Sequence, residues 1–332
     1  MDAKITKKRL SEMLQYDWIK ILGVIVAAII VWELIFTMTA VRVSNGQNFK
    51  IYYYPTLSAN GATELYDFIE EDVPLSYDVL EVNIETLDNT YGNTILGLRL
   101  TTGEGDIMMI DNNVTHPEGE TEEDGHLKDT SNFYQMVDNY KICPYDRLLE
   151  DAKDYLAQFT DDGTYTGELV AGKVNENFLK RMKRDNRFRS AENKKKGLEQ
   201  ETERLETLQK AVADFDWLYN EYKDSELFFN YRKYQMTVNT GENVDEGYKQ
   251  AYEKEVSRPY AVNAGFLETH AKEGKSIANV VSNVDGDNEG KAAGTAVMVF
   301  DFKDQQPDLQ YETIVFITEL IRNYSTLLPE KV

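Results

Sequence analysis

DVLEVNIETLDNTYGNTILGLRLTTGEGDIMMIDNN, residues 78–113, is the stretch on which the fold turns. In Val79–Glu85, Leu80, Val82 and Ile84 alternate with polar residues, the period of a half-covered strand. Thr90–Thr102 carries Ile95, Leu96, Leu98 and Leu100 and reads as a helix. The Gly103-Glu104-Gly105 turn then leads into Asp106–Ile110, an apolar run short enough for a buried strand. Upstream, Phe49–Tyr54 reads as a first strand ended by Pro55. Ala62–Glu71 places Leu65, Phe68 and Ile69 at helical spacing, with Pro74 beyond. Strand, helix, strand, helix, strand predicts an α/β lobe with a largely parallel sheet.

Further along, 116–126 is an acidic, glycine-containing loop with Glu118, Glu120, Glu122, Glu123 and Asp124, and helix resumes near Asn132. Between Lys173 and Lys196 ten basic residues face three acidic ones. Val174, Phe178 and Met182 fall at i, i+4, i+8 there, so the segment reads as an amphipathic helix with a basic outer face. A second helix runs from about Gly197 to Tyr222, its heptad seam broken by Glu201. The two predict an antiparallel helical hairpin inserted at about 173–235. Ala296–Phe302 is a strand candidate, and Gln306-Pro307-Asp308 opens a helix that buries Ile314, Ile317, Leu320, Ile321 and Tyr324.

The chain has 332 residues with 58 acidic and 36 basic side chains, a net charge of -22, which disfavours a nucleic-acid partner. The N-terminal part reads differently from the rest. Ile19–Ala40 is an apolar run long enough to cross a bilayer as one helix. Lys4, Lys7, Lys8, Arg9 and Lys20 precede or enter it and only Arg42 follows closely, so the expectation is a cytoplasmic stub (1–18), a single-pass span (19–40) and an extracellular domain (41–332) in the cell membrane. Five of the basic and four of the acidic residues lie in the first forty, so the remainder carries -23. The competing reading of the run is a cleaved signal peptide.

Catalytic groupings are sparse. His116, His126 and His270 are scattered, and there is no H-E-x-x-H motif or phosphate-binding glycine loop. The single Cys143 reads as a small buried hydrophobe, and Asn283, Asp285 and Asp287 as a polar turn. The expectation is a non-catalytic protein without a cofactor.

Phe49 to Asn113, with its "DVLEVNIETLD" and "LGLRLTTGEGDIMMIDNN", resembles the opening lobe of the bacterial extracellular solute-binding proteins of ABC importers. "SRPYAVNAGFL" is similar to the segment in which that family brings a Pro-Tyr loop toward the ligand cleft, here Pro259 and Tyr260. The resemblance implies a periplasmic-binding-protein-like mixed-sheet lobe with a helical insertion, a sugar-like solute and an importer permease as partner. It departs from the family in its N-terminal helix and in having little material for a complete second lobe. Ligand-binding candidates are Tyr53, Tyr54 and Tyr260 for stacking, with Asp111 and Asn112 for hydroxyl groups. The alternative is a structural or interaction subunit of a membrane complex with no small ligand.

Overall fold

The computed structural model describes residues 18–39, 43–58, 62–112, 131–235, 254–284, 286–301 and 311–329. The stub before Trp18, Ala40, the acidic loop 116–126 with its two histidines, Asp285, Phe302 and the 306–308 helix start lie outside them. Helix α1 (Trp18–Thr39) has 22 residues, about 33 Å at 1.5 Å per residue. It is long and apolar enough to cross a membrane, and most of its large apolar side chains from Trp18 to Phe36 are exposed.

Residues from Val43 onward form a separate unit built on one mixed sheet. Strand β1 (Asn48–Tyr53) is followed by α2 (Ala62–Asp72), β2 (Glu81–Thr86), α3 (Gly92–Thr101) and β3 (Ile107–Asp111). Then come α4 (Asn132–Asn139), β4 (Ile142–Cys143), α5 (Tyr145–Ala157), α6 (Ala171–Arg181) and α7 (Ala191–Tyr222). The chain closes with β5 (Phe228–Gln235), β6 (Lys254–Asn263), α8 (Ala264–Thr269), β7 (Thr295–Phe300) and α9 (Glu312–Tyr324). The strand order is β2-β1-β3-β7-β6-β5, with β4 also on β7.

Only β2, β1 and β3 run parallel; β7, β6, β5 and β4 are antiparallel additions. The expectation of a largely parallel sheet thus holds for the first three strands and is corrected for the remainder. Crossover helices produce the parallel part, whereas β7 lies antiparallel on the edge of β3 and carries β6 and β4 in turn, with β5 on β6. Because strand side chains alternate, the sheet feeds two cores. Ile51, Tyr53, Met109, Val297 and Val299 face the larger core, with contributions from α2, α5, α7 and α9. Tyr52, Met108, Ile110, Met298 and Phe300 face a smaller one, covered by Leu96 of α3 and by Phe133, Met136 and Val137 of α4.

The basic segment is divided rather than one helix: α6 ends at Arg181, and α7 starts at Ala191, so that Lys194, Lys195 and Lys196 belong to the second helix. Val174, Phe178 and Met182 are buried, and α6 joins α7 through two short 3-10 turns. Leu205, Leu208, Val212 and Phe215 of α7 enter the larger core, and the helix packs on α5 and α9. Residues from Phe228 leave the helical segment to form β5.

Glu201, which broke the heptad seam, is fully buried within a network of charges. Both its oxygens accept from Arg181 at 2.8 Å, Arg204 donates to it at 3.0 and 3.1 Å, and the Tyr77 hydroxyl donates at 2.9 Å. Arg181 also reaches Asp78 at 2.8 Å, and Arg204 reaches Glu312 of α9 at 3.4 Å. Burial pulls the Glu201 carboxyl upward, but the arginines outweigh it and hold it below its usual range. Such a network adds little net stability over apolar packing, yet it fixes how its elements meet, because any member left unpaired is a bare buried charge.

Candidate functional site

Helices α2 and α3 lie on opposite faces of the sheet, so the chain leaves β1 in one direction toward β2 and returns on the other side of β1 at β3. Open α/β sheets place ligands at such a switch point, outside the carboxyl ends of the strands. Here those ends carry Tyr53 and Tyr54 from β1, and Asp111 and Asn112 from β3. The amino end of antiparallel β7 lies beside them, with Asp111 opposite Thr295.

Asp111 is buried, and its Oδ1 accepts from the Thr56 hydroxyl and, at 2.9 Å, from the Asn132 side-chain amide. Its Oδ2 accepts no hydrogen bond among the described residues. The Asn112 backbone N–H donates to the Gly294 carbonyl at 2.6 Å. The Asn112 side-chain oxygen is shielded from solvent and finds no donor among the described residues. Among the described residues these two acceptors therefore have no donor at the switch point, a chemistry suited to a donor-rich group such as a hydroxyl or an ammonium.

The loop leaving β1 is stitched to the segment preceding β7. Ser58 N–H donates to the Ser282 carbonyl at 2.8 Å, and Val284 N–H to the Thr56 carbonyl at 3.0 Å. The Asn283 side-chain amide donates to the carbonyls of Lys291 and Ala293 at 3.0 and 2.8 Å, the arrangement of a polar turn.

Tyr54, Asp111 and Asn112 come together at this edge, with the Tyr54 N–H on the Met109 carbonyl at 2.9 Å. Tyr53 is a core residue. Its ring is fully buried, its hydroxyl donates to the Val280 carbonyl at 2.9 Å, and burial holds the phenol above its ordinary range. Tyr260 also stands apart. It lies three residues inside the end of β6, at a bulge where Ala261 pairs with Phe229 and Pro259 with Asn230, and its ring packs edge-on against Tyr231 at 6.1 Å. Thr56 and Asn132, which hold Asp111 in place, were absent from the sequence candidates. The signal for Asn132 was Ser131, whose hydroxyl caps α4 and so fixes the position of the next residue. Cys143 is buried, and burial pushes its thiol up to about 12.

Comparison with protein-family models, with curated proteins and with solved structures finds no match for this chain. Function is therefore read from the fold and the strand-end chemistry.

Proposed function

We propose that this chain is a non-catalytic, membrane-tethered subunit whose domain from Val43 is a single solute-binding-protein-like lobe, used to dock onto a membrane complex such as an ABC importer. The observation that carries this reading is the single sheet. Among the described residues no second sheet stands over the carboxyl ends of β1 and β3, so a two-lobed solute clamp has no counterpart to close against. The parallel β2-β1-β3 core supports descent from a binding-protein lobe, and the basic residues before α1 support an extracellular domain.

A photo-crosslinking side chain placed at exposed Thr56 of the full chain in its native membrane tests the reading. The expected outcome is a covalent adduct with a multi-spanning membrane protein. A chain that stays monomeric and instead binds a solute there overturns it. The open Asn112 and Asp111 acceptors favour a second reading, a small polar solute such as a sugar held at the strand ends. Calorimetric titration of the full chain with mono- and oligosaccharides, repeated on Asp111→Asn, decides between the two.

A further inference from the structure

Helices α5 and α6 border an open groove of about 470 Å³ on another part of the domain, sharing no residue with the strand-end cluster. Its volume falls within the range of small-molecule sites, about 300–1,000 Å³. The walls are polar stripes at helical spacing. Asp151 and Asp154 line it from α5 and Gln158 from just past its end; Lys173, Asn177 and Lys180 line it from α6. The other stripe of α6, Val174 and Phe178, enters the core, so the helix divides its two faces between packing and the groove. Tyr155 and Tyr311 stack at 4.8 Å along the floor, and Arg204 fixes the Tyr155 hydroxyl at 2.7 Å.

Three groups in this groove lack complementary partners. The Asn177 amide nitrogen is shielded from solvent and has no acceptor among the described residues. Lys173 donates to the Thr160 carbonyl at 2.6 Å but pairs with no carboxylate among the described residues. Asp154, on the opposite wall, has no cationic partner among them. The neighbouring charges are closed by contrast: Lys180 lies 2.7 Å from Glu176, and Asp151 has Arg147 at 3.8 Å.

We propose that the groove binds a small zwitterion, a free amino acid or short peptide. Asp154 takes its ammonium group, Lys173 and the Asn177 amide take its carboxylate, and the tyrosine floor takes an apolar side chain. A neutral sugar leaves the two opposed charges unanswered, and a plain anion meets Asp154.

The test is calorimetric titration of the full chain in lipid nanodiscs with glycyl-phenylalanine, phenylalanine, phenethylamine and N-acetylphenylalanine. Saturable binding of a zwitterion is expected, weakened about tenfold or more when either charge is missing, the usual effect of losing a charged hydrogen bond. Asp154→Asn removes the preference over N-acetylphenylalanine, and Lys173→Gln the preference over phenethylamine. Both side chains are exposed, so their variants keep the parent melting temperature. Absence of saturable binding by both zwitterions, or unchanged affinity in both variants, overturns the proposal.

Discussion

Asp106 sits between the Gly103–Gly105 turn and β3, and its carboxylate accepts the Lys50 backbone N–H of β1 at 2.7 Å. Gly105 before it adopts φ 128° and packs under the Tyr52 ring, where a Cβ would stand 2.7 Å from a ring atom. Burial pushes the Asp106 carboxyl up to about 7, against the opposing pull of the Lys50 N–H and ammonium. A carboxyl whose folded pKa exceeds its unfolded value binds its proton first in the folded state. The fold therefore gains stability as pH falls through about 7 toward 4 and loses it as pH rises. Asp106 keeps partial contact with solvent, which screens the effect. Urea midpoints at pH 5 and pH 8 are expected to differ more in the parent than in Asp106→Asn, with the variant the more stable at pH 8. An equal pH response in the two proteins would remove Asp106 from the account. At this scale the sequence was only partly legible. Asp111 and Asn112 could be placed because they end an apolar strand, whereas Tyr52-Tyr53-Tyr54 could not be sorted. Both faces of β1 are covered, so alternation does not distinguish a ring in the core from a ring at a cleft.

Helix α7 shows how one small residue decides the join between elements. Gly197 lies near its start, where a Cβ would approach the rings of Phe178 and Phe188 to 2.5 Å. Alanine has a helix propensity better by about 1 kcal/mol. Overpacking against two buried rings costs about 1–3 kcal/mol, and those rings already meet edge-on at 5.3 Å. Gly197→Ala is expected to lower stability and loosen the junction of α6 with α7, measurable as a lower denaturation midpoint and faster amide exchange over 174–182. A stabilised variant would show that the rings swing aside. Helices were the most legible elements because their apolar spacing survives tertiary context: α2 and α9 bury the residues their periodicity selects, whereas α3 buries Leu96 and leaves Ile95 and Leu98 exposed. The strands β5 and β6 were missed for a local reason. The register shifts between Phe229 and Asn230, which breaks the two-residue period, and Pro259 within β6 reads as an interruption when it sits at that bulge. The two-residue β4 is too short to carry a period at all.

For the whole molecule, the proposed tether turns on which side of the membrane the -23 segment would occupy. The charge pattern that separates a basic N-terminal segment from an acidic remainder was visible in the sequence, and so was the long apolar helix; the ladder joining parallel to antiparallel strands was not, since it depends on pairing between residues as distant as Ile107 and Val299. The proposed arrangement puts Lys7 inside and Lys196 outside. The chain itself makes this measurable, because its one cysteine, Cys143, is buried and its thiol is held up to about 12, so the unmodified protein gives little background with thiol reagents. Lys196 is exposed on α7, so a cysteine there is accessible without disturbing the core. In intact cells, Lys196→Cys is expected to react with a membrane-impermeant maleimide while Lys7→Cys reacts only after permeabilisation. The reverse pattern would invert the topology and remove the extracellular docking role. Release of a Lys196→Cys domain into the medium would instead mark α1 as a cleaved leader. Retention with outside labelling is the single result compatible with a tethered subunit, because only a chain that keeps α1 in the bilayer holds its acidic domain at the outer surface.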